Sequence, residues 1–323
     1  MFLVMLTHSI AIRNYPTIET FDWGLDDLFT LSLDSVSFVC VNCFILISGY
    51  FGIRWKYKSI SNLLFQILFW LIVGYVMALL LNLDTANNFL GKLIHYGQGR
   101  WFISAYLMVY LLSPLTNSFA EHNSTRNLGY YLVVFYLAST IYGYCLGAKE
   151  FNTGLSAISL LGIYITGLWL RRTDNPLTKF SAKTNLLIYL GISMIMVILN
   201  SSLLSLGIGK SLFGYLNPAI LIASVYLFLF FKGLNIGSIK WINFLSASAF
   251  AIFLFHCNPF TAELVSDTWR YLYVNFEYSF PLILLSFVAI YLFCVAIDRI
   301  RITIFDTAWV LLFQRKPSIE TVR

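Results

Sequence analysis

The chain has 323 residues, of which 59% are hydrophobic and 11% are charged. Soluble domains carry about 25% charged residues, so this composition excludes an ordinary soluble protein and indicates a multi-span membrane protein. The formal net charge of +6 is typical of basic residues gathered in cytoplasmic loops, and it does not indicate nucleic-acid binding.

The apolar segments predict an all-α, polytopic integral membrane protein with about ten transmembrane helices. Residues 1–12 are apolar but short for a span, so we expect either a helix that continues past Arg13 or a natural start further upstream. Residues 14–34 are predicted to be an acidic loop, and residues 261–278 a polar, aromatic loop. The remaining spans are predicted at residues 36–53, 60–81, 101–119, 128–146, 154–170, 185–206, 216–231, 244–260 and 280–296.

The span at residues 36–53 predicts the orientation of the chain. Arg54, Lys56 and Lys58 follow it with no acid among them, and such residues stay in the cytoplasm. Alternating the spans from this point places most of the 21 lysines and arginines, and both termini, on the cytoplasmic side. The sequence therefore predicts a multi-pass protein of the cell (inner or plasma) membrane. Its domains are a transmembrane domain at residues 1–300 and a cytoplasmic tail at 301–323, in which residues 301–313 form an amphipathic surface helix.

Two histidines lie inside apolar segments and are candidates for chemistry. His8 belongs to the first segment and His256 to the ninth. Ionisable side chains are costly in a membrane and mark functional sites, and imidazole can act as a general base near neutral pH. The alternative, of about equal weight, is a histidine that packs between helices and bonds to a carbonyl.

Other candidates have simpler alternatives that we favour. Arg54 and Lys56 could bind phosphates at the cytoplasmic mouth, although a topology signal or lipid-headgroup contact explains them as well. Trp101 could line a site or belong to the interfacial aromatic belt. Ser48, in the sequence Ser-Gly-Tyr, marks a point where a helix can loosen or another backbone can come close.

No metal site is predicted from the sequence. The five cysteines are scattered through apolar segments and are interpreted as small buried side chains. Cys40 and Cys43 are spaced C-x-x-C but have no second pair, which is a weak metal or redox signal.

Four segments together resemble the acyltransferase-3 family of bacterial membrane acyltransferases. They are MLTHS (residues 5–9), VNCFILISGYFGIRWKYKS (41–59), GRWFISAYLMVYLLSPL (99–115) and SASAFAIFLFHCNPF (246–260). Their order along the chain and the number of predicted spans are similar to the family's.

The resemblance implies transfer of an acyl group, usually acetyl, from cytoplasmic acyl-CoA to a sugar hydroxyl of a surface or secreted polysaccharide. It places His8 at the family's catalytic histidine, Arg54 and Lys56 at its basic pair, and His256 at its late-helix histidine. The expected partners are acyl-CoA such as acetyl-CoA as donor, a polysaccharide or lipid-linked glycan as acceptor, and membrane lipid, with no bound cofactor and no nucleic acid.

Two departures from the family pattern stand out. The family's arginine upstream of the histidine would precede Met1, so either the N-terminus is incomplete or this arginine is missing. Cys257 stands where the family commonly has proline.

A thioester is already activated, so the predicted reaction needs no metal. His8 would be the general base, and a covalent acyl-enzyme on His8 or a serine is an open alternative. Arg54 and Lys56 would hold the CoA phosphates. The competing functions are a polysaccharide flippase or polymerase and a non-catalytic membrane subunit. The polymerase and the flippase are less favoured because the sequence contains no large basic outer loop and no charges deep in several spans. The non-catalytic subunit stays open because the family's upstream arginine is not in the sequence.

Overall fold

The computed structural model describes residues 1–13, 15–92, 101–209 and 211–313, and every regular element in those ranges is a helix. The predicted all-α class is thereby confirmed for these residues. The α-helices are α1 (Phe2–Ile10), α2 (Leu25–Ser37), α3 (Cys40–Phe51), α4 (Tyr57–Leu80), α5 (Trp101–His122), α6 (Thr125–Ala138), α7 (Ala157–Arg172), α8 (Ala182–Ser205), α9 (Pro218–Lys232), α10 (Lys240–Ser246), α11 (Ala249–His256), α12 (Ala262–Asn275) and α13 (Ser279–Phe313). A π-helix at Ser139–Cys145 extends α6, and short 3-10 helices occupy Asp84–Asn88, Asn152–Gly154 and Pro176–Thr178.

Six helical segments in the described ranges are long and apolar enough to cross a membrane, so the chain is a multi-pass membrane protein. They are Leu25–Phe51, Tyr57–Leu80, Trp101–His122, Thr125–Cys145, Ala182–Ser205 and Ser279–Phe313, and α9 is a shorter apolar helix. The count of about ten spans and the side on which the termini lie stay predictions.

The acidic loop predicted at residues 14–34 is shorter than expected, because α2 begins at Leu25. Asp26 and Asp27 lie in its first turn, where carboxylates interact favourably with the positive end of the helix dipole. Acidic residues that appeared to extend the loop therefore start a helix.

The span predicted at residues 244–260 is not one helix. It comprises α10 and α11, and α11 ends at His256, just before Asn258 and Pro259. Asn258 accepts a hydrogen bond from its own neighbour Phe260 N at 3.0 Å and donates one to the Trp70 carbonyl at 2.7 Å. Proline disfavours helix at the residue before it, which explains why α11 ends before Pro259.

The loop predicted at residues 261–278 is largely helical, since it contains α12. This helix has one apolar face, on which Val265 and Trp269 are buried. Its other residues are polar enough to conceal a helix from a search for apolar runs.

The helix predicted at residues 301–313 is present, and its position on the cytoplasmic surface stays a prediction. These residues are helical, but they continue α13, a single helix of 35 residues. Residues 314–323 of the predicted tail lie outside the described ranges, and the domain boundary at residue 300 stays a prediction.

A buried ion pair explains why α13 continues past residue 300. Asp298 is 0% exposed and Arg301 is 2% exposed, and they meet at 2.7 Å (Nε to Oδ1) and 3.1 Å (Nη2 to Oδ2). From α4, Asn62 Oδ1 accepts from Arg301 at 2.6 Å and Trp70 Nε1 donates to Asp298 at 3.1 Å. These bonds satisfy a buried charge pair and join α4 to α13.

α1 is the element that positions the candidate site. It contacts four helices: α2, α3, α11 and α13. Met5 is completely buried among these helices. The first helix and the last third of the chain therefore meet in one core.

Arg301→Ala is expected to lower the free energy of unfolding by about 3–5 kcal/mol, because it leaves Asp298 as an unpaired buried charge. Lys58→Ala is the matched control, since Lys58 pairs with Asp306 across the same two helices but both side chains are about half exposed. Its expected cost is about 1 kcal/mol or less. Equilibrium unfolding in detergent micelles measures both, and equal costs would contradict this assignment.

Candidate active site

The structure brings His8 of α1 and His256 of α11 together. His8 Nδ1 lies 3.0 Å from His256 Nε2, and the ring centroids are 5.1 Å apart. His256 is 4% exposed, whereas His8 is half-buried. Two histidines that lie in separate apolar segments therefore form one imidazole pair.

The hydrogen bonds define the tautomers of the pair when both rings are neutral. His256 Nδ1 lies 2.6 Å from the Ile252 carbonyl oxygen, and a carbonyl only accepts, so Nδ1 carries the hydrogen. His256 Nε2 then has the lone pair and accepts from His8 Nδ1. In this arrangement the lone pair of His8 is on Nε2, as a general base requires.

Cys257 is a third polar group beside this pair, and the sequence analysis did not select it as a site residue. Its Sγ lies 3.5 Å from His8 Nδ1. The donor atoms of His8, His256 and Cys257 all lie within 4.8 Å of one another, so the three could hold a soft metal ion. The available signal was its position directly after a histidine in an apolar segment.

The C-x-x-C pair contributes differently. Cys40 Sγ lies 3.9 Å from the Thr7 hydroxyl, and Cys43 Sγ lies 3.6 Å from the Ser224 carbonyl. The two thiols contact different helices, and neither forms a disulfide.

A polar pocket of about 680 Å³ lies at the C-terminal end of α1. Ile12 and Arg13 line it, Arg13 pairs with Asp26, and Tyr273 of α12 lies at its wall. The Tyr273 hydroxyl donates to Ser9 Oγ at 3.4 Å. Burial raises the pKa of Tyr273, so its hydroxyl remains a hydrogen-bond donor beside the histidine helix.

An apolar pocket of about 470 Å³ lies at the opposite end of α1. Leu3 of α1, Cys43 and Tyr50 of α3 and Lys232 of α9 line it. Lys232 Nζ is 5.2 Å from the centre of the Tyr50 ring. This pocket combines apolar walls with a cation at its rim.

Arg54 and Lys56 are exposed and follow the end of α3. The helix from Cys40, which contacts α1, to Phe51 is about 18 Å long at 1.5 Å per residue. These cations are thus at a distance from the imidazole pair. Arg171 of α7 donates to the Phe51 carbonyl at 3.4 Å, which adds a cation near Arg54 and Lys56 that was not among the predicted site residues.

Trp101 and Ser48 lie elsewhere. Trp101 is the first residue of α5, and its ring is 5.7 Å from that of Tyr215. Ser48 Oγ donates to the Phe44 carbonyl at 3.1 Å within α3. Their roles as site residues stay predictions.

Asp34 is a buried carboxylate that the sequence analysis had placed in a loop. It is 6% exposed and accepts from the Tyr15 hydroxyl at 2.9 Å. Burial, and then the neighbouring Asp34, raise the pKa of Tyr15, so this phenol stays protonated and keeps donating. Burial also raises the pKa of Tyr215, with smaller contributions from Cys40, Asp34 and Cys257.

The fold and this site define a membrane protein in which an imidazole pair joins α11 to α1, the helix that runs between two pockets. The acyltransferase-3 family profile, described as an acyltransferase domain, matches residues 1–299. The chain therefore belongs to the acyltransferase-3 family and is a membrane acyltransferase. Comparison with curated proteins and with solved structures gave no match.

The Ser-Gly-Tyr segment of the family resemblance has a packing role. A Cβ atom at Gly49 would overlap the Tyr164 carbonyl oxygen and come within 3.1 Å of Gly167 Cα. Only glycine lets α3 and α7 approach this closely.

Gly49→Ala is expected to destabilise the protein by about 1–3 kcal/mol, because the added methyl group meets backbone that cannot rotate away. Gly191→Ala is the control, since a Cβ at Gly191 of α8 meets nothing within 4 Å and alanine favours helix by about 0.5–1 kcal/mol. The melting temperature should fall for the purified Gly49→Ala variant and rise for Gly191→Ala. A lower melting temperature for Gly191→Ala alone would contradict the packing role of Gly49.

Proposed function

We propose that this acyltransferase moves an acyl group, with acetyl as the first candidate, from acyl-CoA to a hydroxyl of a cell-surface or exopolysaccharide sugar. The supporting observation is the position of α1. Leu3 lines the apolar pocket, Arg13 lines the polar pocket, and His8 lies five residues from each. The five residues of helix from Leu3 to His8 span about 7.5 Å, and Arg13 follows three residues after α1 ends at Ile10, so the histidine lies between the residues that line the two pockets.

The apolar pocket suits the acyl chain and the pantetheine arm of the donor. Lys232 and Arg171 contact Tyr50 and Phe51 at the C-terminal end of α3. The exposed Arg54 and Lys56 follow this end. Cations of this kind form charge-assisted hydrogen bonds with phosphates. We assign this end to acyl-CoA.

The polar pocket suits a sugar. Arg13, Asp26 and Asn275 offer charged and amide groups to hydroxyls, and Tyr273 and Phe276 offer aromatic faces. A polysaccharide or lipid-linked glycan would enter here, with one hydroxyl directed at His8.

The proposed reaction is direct transfer. His8 Nε2 removes the proton of the acceptor hydroxyl as its oxygen bonds to the thioester carbonyl carbon. The tetrahedral intermediate then breaks its carbon–sulfur bond, and the CoA thiolate takes the proton from His8. His256 is a positioning residue, because its Nε2 accepts from His8 Nδ1 and stabilises the transient imidazolium.

His8→Ala is expected to lower the acyl-transfer rate by about 10²–10⁴-fold, the usual contribution of a general base. The measurement is transfer of label from radiolabelled acetyl-CoA to polysaccharide in isolated membranes. His122→Ala is the control, because His122 is exposed near the end of α5 and bonds only locally to Ser118, and it should transfer at the unsubstituted rate.

The same assay separates the competing functions. Full transfer by His8→Ala would remove His8 from the mechanism. If the unsubstituted protein transfers no label, but a transport assay on the same membranes shows glycan crossing the membrane, the flippase would replace the proposed transfer to polysaccharide.

The double variant Arg54→Ala, Lys56→Ala is expected to raise KM for acetyl-CoA by about tenfold with little change in kcat, since exposed charge-assisted contacts are worth about 1–2 kcal/mol together. Lys149→Ala, an exposed lysine in a loop after α6, is the control. Removing the 3′-phosphate from acetyl-CoA should weaken binding to the unsubstituted protein more than it weakens binding to the double variant. Independent, additive losses would show that these cations do not contact that phosphate.

A further inference from the structure

His8, His256 and Cys257 present two imidazole nitrogens and a thiol sulfur to one point. These are the donor types that zinc and related soft divalent cations prefer. The residues come from two helices that are distant in sequence, so the convergence belongs to the fold rather than to a local motif.

The distances suit a tetrahedral ion. Zinc binds nitrogen at about 2.0–2.1 Å and sulfur at about 2.3 Å, so its ligand atoms lie about 3.3–3.6 Å apart. His8 Nδ1 is 3.5 Å from Cys257 Sγ and 3.0 Å from His256 Nε2. All three ligand atoms lie within 4.8 Å of one another, so small side-chain shifts, including an opening of the imidazole pair by a few tenths of an ångström, would bring them to zinc distances.

The surroundings of His256 are those of a metal ligand. A ligating histidine usually donates its other ring N–H to a carbonyl or carboxylate, which directs the lone pair at the metal. His256 Nδ1 makes this bond to the Ile252 carbonyl at 2.6 Å. The Nε2 lone pair is consequently already directed toward His8 and Cys257.

Burial and access are also consistent with a site. His256 and Cys257 are 4% and 7% exposed, which shields the sulfur from solvent. Tyr273, which lines the polar pocket, bonds to Ser9 beside His8, so this pocket is the side from which we expect a hydrated cation to approach.

We propose that His8, His256 and Cys257 form a binding site for a soft divalent cation of the zinc class, and that its occupation inhibits the enzyme. On binding, the thiol releases its proton and the sulfur coordinates as thiolate. The Nδ1 hydrogen of His8 moves to Nε2, so that Nδ1 coordinates the ion instead of donating to His256, and the Nε2 lone pair that would take the acceptor proton is lost. The inhibitory part rests on the proposed function, whereas the binding part does not.

The binding test uses the full chain, purified in detergent, freed of metal by a chelator and titrated with Co²⁺. We expect one cobalt per chain and a near-ultraviolet thiolate-to-cobalt charge-transfer band that Zn²⁺ displaces. Cys257→Ser keeps the size of the side chain and should lose the band, with affinity weakened by more than about tenfold. Cys145→Ala, which removes an exposed cysteine, should keep it.

A protein saturated with Co²⁺ that shows no charge-transfer band, or a band unchanged in Cys257→Ser, would overturn the proposed site.

Acyl transfer assayed with Zn²⁺ tests the inhibition. A chelator should reverse this inhibition, and Cys257→Ser should require more than about tenfold more Zn²⁺ for the same effect. A band together with transfer that ignores Zn²⁺ would overturn the inhibition alone. A band in a protein that transfers no acyl group would leave the site standing and count against the proposed function.

Discussion

A membrane offers no water to buried polar groups, so each one must find a partner within the protein. Trp70 of α4 shows how much of this structure depends on that constraint. Its indole N–H donates to Asp298, the carboxylate that holds Arg301, and its carbonyl accepts from Asn258. Asn258 follows the end of α11, two residues after His256. A continuous chain of hydrogen bonds therefore runs from the buried ion pair of α13 to the helix end that presents the imidazole pair.

The helices with an apolar, lipid-facing surface could be predicted from the sequence, because their mean hydropathy is enough to distinguish them from loops. The sequence also selected His8 and His256, since ionisable groups in apolar segments are conspicuous. It could not predict that they touch, because that contact depends on packing between α1 and α11. Their tautomers were equally hidden, since the carbonyl of Ile252 is a backbone group that any residue would supply.

The errors have a common physical origin. Average hydropathy merges α10 and α11 into one span that runs to residue 260, whereas the structure separates the two helices at residues 247–248 and ends α11 at His256. It also discards α12, whose single buried face is outweighed by polar residues. Arg301 fell within the helix predicted on the cytoplasmic surface, because the sequence alone does not show that this arginine binds Asp298 and Asn62. Cys257 was overlooked because a single cysteine in an apolar run is usually a packing residue.

The imidazole pair joins residues that are 248 positions apart in the chain. α1 packs against α11 and α13, which are synthesised long after it. Contacts of such long range form late in folding because closing the intervening loop costs entropy. The reacting base is thus assembled only after nearly the whole chain has entered the membrane, so a nascent or prematurely terminated chain contains His8 but lacks the partner that orients it.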